Sequence, residues 1–198
     1  MSKVTLSQVL SQRRTVRNYS DASIPLDVVK RLIWAGQGIT GSDGKRTAPS
    51  AHAIHPLRLY FLVNRVVGLE KGLYEVDLSD HGLKQLSGAD LYPALTKAAI
   101  GNPQCIMDAA CIIVICADLL TPIQAFADQK PFGSRGVRYV YLEAGAAAQN
   151  LQLQAVAEGL GSVWVGGFDD ETTANVLGLR GPLAPIIQLC VGYPASTE

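Results

Sequence analysis

Three arginines and a hydroxyl fall within five positions at Arg13-Arg14-Thr15-Val16-Arg17. Guanidinium forks offer paired N–H donors and Thr15 adds a hydroxyl, the donor set that a phosphate monoester requires. The same cations also suit a solvated helix C-terminus, where the dipole favours positive charge by a few tenths to about 1 kcal/mol. A second stretch offers bare backbone: Gly166-Gly167 follows Ser162 to Val165, a β-branched and aromatic run that reads as buried strand. Amides without side chains let something flat lie against them. Gly159 and Gly161 sit where a helix ends and that strand begins, the wrong polarity for a dinucleotide fingerprint, which runs strand, glycines, helix. Two further places could meet a ligand. In Arg46-Thr47-Ala48-Pro49-Ser50-Ala51-His52 the hydroxyl of Ser50, beside rigid Pro49, suits a polar ligand edge or a plain surface turn. In Asn102-Pro103 the asparagine is a helix cap with proline as first helical residue, or else its amide faces a ligand.

The elements that must hold these residues follow from periodicity. Leu6, Val9 and Leu10 recur at helical spacing before the arginines, and Val28, Val29, Leu32 and Ile33 stripe a second helix with Gly36 as its stop. Gly36 to Ile54 is a loop, and one this long in a compact domain is usually functional. Leu57 to Val67 and Leu73 to Leu78 form a hairpin about Gly68–Gly72. Leu83 to Ile100 reads as one or two short helices. Cys111 to Ala117 is apolar without alternation, a strand covered on both faces. The longest helix runs from about Arg135 to about Glu158; its Ala144-Gly145-Ala146-Ala147-Ala148 run permits close approach of another helix, and its Glu143 and Gln149 are expected on solvated faces. Asp169-Asp170 caps a further helix to Leu177, and Pro185 to Gly192 is the last strand.

Totals bound the function. The 198 residues, 48% hydrophobic and 17% charged, suit a single domain over 1–198. Seventeen basic and seventeen acidic residues cancel, which argues against nucleic acid or an anionic membrane as partner. No apolar run approaches the roughly 20 residues of a membrane span and no signal peptide opens the chain, so a soluble, cytoplasmic protein is expected. Cys105, Cys111, Cys116 and Cys190 contain no CxxC pair and are expected as reduced, buried thiols. His52, His55 and His81 do not make a metal site, since His52 and His55 share a loop with no acidic neighbour close by, and no metal is assigned.

Taken in order, five stretches resemble the nitroreductase family of FMN-dependent oxidoreductases. They are Arg13 to Tyr19, Arg46 to Ala51, Leu142-Glu143-Ala144-Gly145 with Gln149-Asn150-Leu151, Gly159-Leu160-Gly161 with Gly166-Gly167-Phe168, and Val191-Gly192-Tyr193-Pro194. The resemblance is greatest to the branch similar to the dehydrogenase and oxidase components of thiazole- and oxazole-forming peptide-modification systems. It implies an α+β fold with a central, mostly antiparallel sheet flanked by helices, and a homodimer with two FMN sites at its interface. Arg13, Arg14, Thr15 and Arg17 would hold the phosphate and the pyrimidine side of the ring. Pro49, Ser50 and Ala51 would reach the flavin of the partner subunit, Asn102 would meet the ring, and the amides of Gly166 and Gly167 would contact N5 and O4. The implied activity moves hydride from NADH or NADPH through flavin N5 to a nitroaromatic, a quinone or a similar small acceptor, with no catalytic side chain. The resemblance also admits an azoline dehydrogenase or oxidase acting on a peptide, or a flavin-binding protein without turnover. Two departures stand out. The closing Tyr193-Pro194-Ala195-Ser196-Thr197-Glu198 lacks the basic residues that clamp the phosphate in many members, and Gly166 stands where classical bacterial members often carry an acid.

Overall fold

The computed structural model describes residues 4–79 and 82–196; Asp80, His81, the first three residues and the last two lie outside them. In chain order the elements are α1 (Leu6–Gln12), β1 (Ile24–Pro25), α2 (Leu26–Gln37), β2 (Leu57–Val63), β3 (Val66–Val67), β4 (Gly72–Asp77), β5 (Gly82–Ser87), α3 (Tyr92–Ala98), α4 (Gln104–Asp108), β6 (Cys111–Asp118), α5 (Leu120–Ala125), α6 (Gly136–Ala157), β7 (Gly161–Val165), α7 (Asp170–Leu177) and β8 (Leu183–Gly192). Six strands pair in the order β5-β4-β2-β6-β8-β7, every neighbour antiparallel. This is the α+β arrangement that the sequence implied, with helices on both faces of the sheet.

The run Cys111 to Ala117 shows why both faces are covered. Cys111, Ile113, Ile115 and Ala117 join one core with α2 and α6, while Ile112, Val114 and Cys116 join another with α3, α4 and α7. Strand geometry sends successive side chains to opposite faces, so a strand between two cores must be apolar throughout. All four cysteines are buried and free. At the edge of α6, Arg31 ties α2 to its end through Glu158 at 2.7 Å.

Several local expectations are corrected. Gly36 does not stop α2; the helix continues to Gln37 with Gly38 as C-cap. A Cβ at Gly36 would lie 3.1 Å from Leu151, so this glycine sets the α2–α6 approach instead. The hairpin of β2 and β4 forms, but Val66 and Val67 leave it to pair with Ile24 and Pro25. Residues 82–87 are strand, because pairing with β4 overrides their weak helical pattern; only Tyr92–Ala98 of the expected helical stretch is α3. Asn102 is not the α4 cap. It sits one position earlier in the left-handed region, φ 47°, and Pro103 takes the cap position.

Candidate functional site

α1 opens with a capping box, Thr5 and Gln8 each satisfying the other's backbone N–H, and closes where Arg13 turns extended. The chain then runs beside edge strand β7: Thr15 bridges Ser162 in parallel sense and Val16 N–H donates to the Ser162 carbonyl at 3.0 Å. Two glycines make that contact possible. Gly161 and Gly192 face each other across β7 and β8, and a Cβ at either would collide with Val16 or Tyr19. The Tyr19 hydroxyl is shared between the carbonyls of Val16 and Cys190 at 2.8 and 3.0 Å, and burial pushes its phenol well above the ordinary range. The segment carrying the arginines is thus fixed at both ends.

Within it the side chains differ. Arg14 Nη1 donates to the carbonyls of Ser11 and Arg13, closing the end of α1. Arg13 and Arg17 make no hydrogen bond or ion pair among the described residues, and Thr15 is exposed. Arg17 lies near α4, where the Cys105 thiol is drawn down to about 7, chiefly by its hydrogen bond with Cys190 and further by the Arg17 charge. Cys190 moves the opposite way, raised by the same contact and by burial.

At the far end of β7, Gly166 and Gly167 are exposed and their N–H groups donate to no group among the described residues. The Gly167 carbonyl accepts from Ile100 N–H at 2.8 Å, which brings Ile100, Gly101 and Asn102 alongside. A Cβ at Gly166 would meet nothing within 4 Å, whereas one at Gly167 would approach Ile100 to 3.3 Å. The Asn102 side chain is exposed and unbonded; that of Gln104 is held by Asp108 at 2.8 Å. One chain therefore gathers Arg13, Arg17, Thr15, Asn102, Gly166 and Gly167 around the edge of β7.

Pro49, Ser50 and Ala51 are elsewhere. They line a cleft of about 300 Å³ with Tyr139, Leu142 and Glu143 near the start of α6. The β7 end of the sheet instead rests on Gln152, whose Nε2 donates to Ser162 Oγ at 3.2 Å. Nine residues of helix separate Glu143 from Gln152, about 14 Å at 1.5 Å per residue. Ser50 Oγ accepts from His55 N–H at 2.8 Å and lines the same cleft as Glu143. Glu143 itself is only 4% exposed, contrary to the expected solvated face, and its Oε1 has no partner. Burial raises its carboxyl above the usual range, against the opposing pull of Ser50 and Arg46. Gln149 is half-buried.

A model of the nitroreductase family matches residues 10–193. The chain belongs to the nitroreductase family. It is 32% identical over 97% of its length to a protein of Methanocaldococcus jannaschii named as a nitroreductase, 92% of which is covered. A crystal structure described as a nitroreductase from Ralstonia eutropha superposes with TM-score 0.80 at 25% identity, covering all of this chain and 86% of that one. The fold also matches the microcin synthetase complex of Escherichia coli, with TM-score 0.72 at 17% identity, over 99% of this chain and 76% of that one. Family membership establishes an oxidoreductase fold and class for a chain whose unpaired cations and bare amides were found independently. Three residues escape the sequence reading: Glu143 in the Pro49–Ala51 cleft, whose helix position gave no sign of burial; Cys105 near Arg17, classed with the buried thiols; and Ile100, an apolar residue 79% exposed beside the glycine doublet.

Proposed function

We propose that this nitroreductase-family chain is an FMN-dependent oxidoreductase that uses NADH or NADPH to reduce a nitroaromatic, a quinone or a similar small acceptor. The observation that carries the reading is the pairing, on one strand edge, of exposed Gly166-Gly167 with Arg13 and Arg17; the N–H groups of the first and the guanidinium groups of the second have no partner among the described residues. A phosphate group needs the second feature and the electron-rich edge of a reduced ring needs the first. The residues fit the group: a side chain at Gly166 would occupy open space, so glycine leaves room for a ring, and Ile100 supplies an apolar neighbour. Arg13, Arg17 and Thr15 would hold the phosphate, with Arg14 in support through its remaining donors. Asn102 would hydrogen-bond the polar edge of the ring. Bound flavin supplies the hydride carrier.

A single chain leaves Pro49–Ala51 about 14 Å along α6 from this cradle. A second copy would bring that segment across, because the outward face of α6 carries exposed Val137, Tyr141 and Leu142 beside small Gly145 and Ala146. The proposed active unit is therefore a homodimer acting on small molecules.

The test is the visible spectrum of the purified protein before and after anaerobic addition of NADH or NADPH. Rapid bleaching followed by recovery with a quinone or nitroaromatic is expected. Yellow protein that neither nucleotide bleaches would contradict the donor assignment and favour flavin binding without turnover. Sustained oxygen consumption on an azoline peptide without nicotinamide would assign the azoline oxidase role instead.

A further inference from the structure

A second cleft, of about 350 Å³, opens at the end of the sheet where β2 begins and β4 ends. Three cations line it, Arg46, Arg58 and Lys84, together with the carboxylates of Glu75 and Asp77. Strand register gathers four of them: Glu75 pairs with Lys84 on β5 and with Tyr60 on β2, and Asp77 and Arg58 each stand two residues further along, on the same face. Arg46 arrives from the loop before β2. Among the described residues the ion pairs are those of Arg31, Lys45 and Lys130, so none joins these five groups. Asp77 instead accepts from the N–H and hydroxyl of Ser79 at 2.9 and 2.6 Å. Arg46 Nη1 donates to Oε1 of fully buried Gln37 at 2.8 Å, and Arg58 Nη1 to the Leu57 carbonyl at 3.0 Å. Each guanidinium is thus aimed by one bond and keeps its other donors. Burial and then the neighbouring Arg58 charge lower the Arg46 guanidinium from its ordinary value, only partly offset by Glu143, as befits two cations side by side without a counter-ion.

We propose that this cleft binds the phosphorylated ribose of NADPH, with Arg46 and Arg58 holding its 2′-phosphate. Paired guanidinium groups match the oxygens of a phosphate monoester in charge and in fork geometry. A free anion would call for the cations alone, and carboxylates in the same cleft would repel it. A ribose phosphate uses both, because the hydroxyl next to the phosphate is a donor that a carboxylate such as Glu75 accepts. Val76 and Leu78 complete the lining with apolar surface on which a base can lie. NADH carries no phosphate on that ribose, so the cleft selects between the two donors that the proposed function leaves open, and the inference rests on that function. Arg46 stands three residues before Pro49, a span of at most about 10 Å. The cleft therefore accompanies the segment proposed to meet the flavin of a second copy, and is separate from the Arg13–Arg17 cradle on its own chain.

Calorimetric titration of the purified protein with adenosine 2′,5′-bisphosphate and with AMP tests the cleft without turnover. The bisphosphate should bind at least about ten-fold more tightly, since its extra phosphate gains charge-assisted hydrogen bonds. Arg58 is exposed, so Arg58→Ala should fold, and it should abolish that advantage. Lys30→Ala, which removes an equal charge from α2, should keep it. In stopped-flow reduction of the flavin, the ratio of the NADPH to the NADH second-order rate constant should fall at least about ten-fold in Arg58→Ala, through weaker binding and not through a slower limiting rate. Bisphosphate bound no more tightly than AMP, an advantage that survives Arg58→Ala or is lost equally in Lys30→Ala, or a flavoprotein that NADH and NADPH bleach equally well would overturn the inference while leaving the flavin reading intact. A protein that takes up no FMN but binds the bisphosphate through Arg58 would refute the flavin and leave the ribose-phosphate site standing.

Discussion

Arg13 and Arg17 differ from the arginines that build the fold. Arg31 is gripped by Asp27 and Glu158, and Arg65 donates to the carbonyls of Ser20 and Asp108, whereas Arg13 and Arg17 have no counter-ion among the described residues. That contrast makes them binding groups in this account, since a hydrogen bond to a charged partner is worth about 1.5–3 kcal/mol. Glu143 is the opposite case, a charge-bearing group turned inward. Its carboxyl is raised by burial above the 4.5 of an exposed glutamate. Between that value and its own, the folded chain binds the proton that the unfolded chain has released, so stability falls as pH rises through the interval and stays lowered above it. Glu143→Gln carries no such proton. Urea unfolding from pH 4 to 8 should show the variant gaining stability over the native protein as pH rises, with the gain vanishing at the acid end; a pH-independent difference would contradict the buried-acid description. The sequence could not reveal this, because a lone glutamate among alanines gives no sign of which side of α6 it occupies.

At the scale of elements, the site depends on laying residues 13–19 against the sheet edge. Gly161 is the contact that permits it, a Cβ there falling 2.6 Å from Val16. Gly161→Ala should therefore lift the arginine segment from β7, weakening FMN binding about ten-fold or more and lowering the melting temperature. Unchanged affinity, measured by fluorescence titration, would mean that the segment does not hold the phosphate. Elements with a strong pattern were legible: α2 from its apolar stripe, β6 from its unbroken apolar run, α7 from Asp169, whose Oδ1 accepts Thr172 N–H at 2.7 Å. What escaped was set by distant partners. β5 is a strand because β4 lies beside it, Val66 and Val67 leave their hairpin because Ile24 and Pro25 offer another pairing, and Gly36 stays helical because Leu151 packs on it. Local propensity carries none of that information.

For the whole molecule, the proposed homodimer would make assembly part of the function, because the two proposed half-sites lie apart on one chain. Leu142, 66% exposed on the outward face of α6 and lining the Pro49–Ala51 cleft, sits where a second copy would pack. Sedimentation should find the flavin-bearing protein only as a dimer, and Leu142→Glu should yield folded monomers without flavin; a flavin-bearing monomer would contradict the shared site. The proposed site residues Arg13 to Arg17 and Gly166-Gly167 stood out in the sequence as chemistry, because cation spacing and bare backbone are local properties. The placement of Pro49–Ala51 did not, since it depends on how the chain wraps α6. The account stands on a phosphate held by the early arginines and a ring laid on the glycine doublet, and equilibrium titration of the flavin-free protein with FMN and with riboflavin tests both together. One FMN per chain is predicted, with riboflavin bound at least about ten-fold more weakly and Arg13→Ala narrowing the gap by removing one charge-assisted contact. Equal affinity for the two flavins, or no uptake of either, would contradict it.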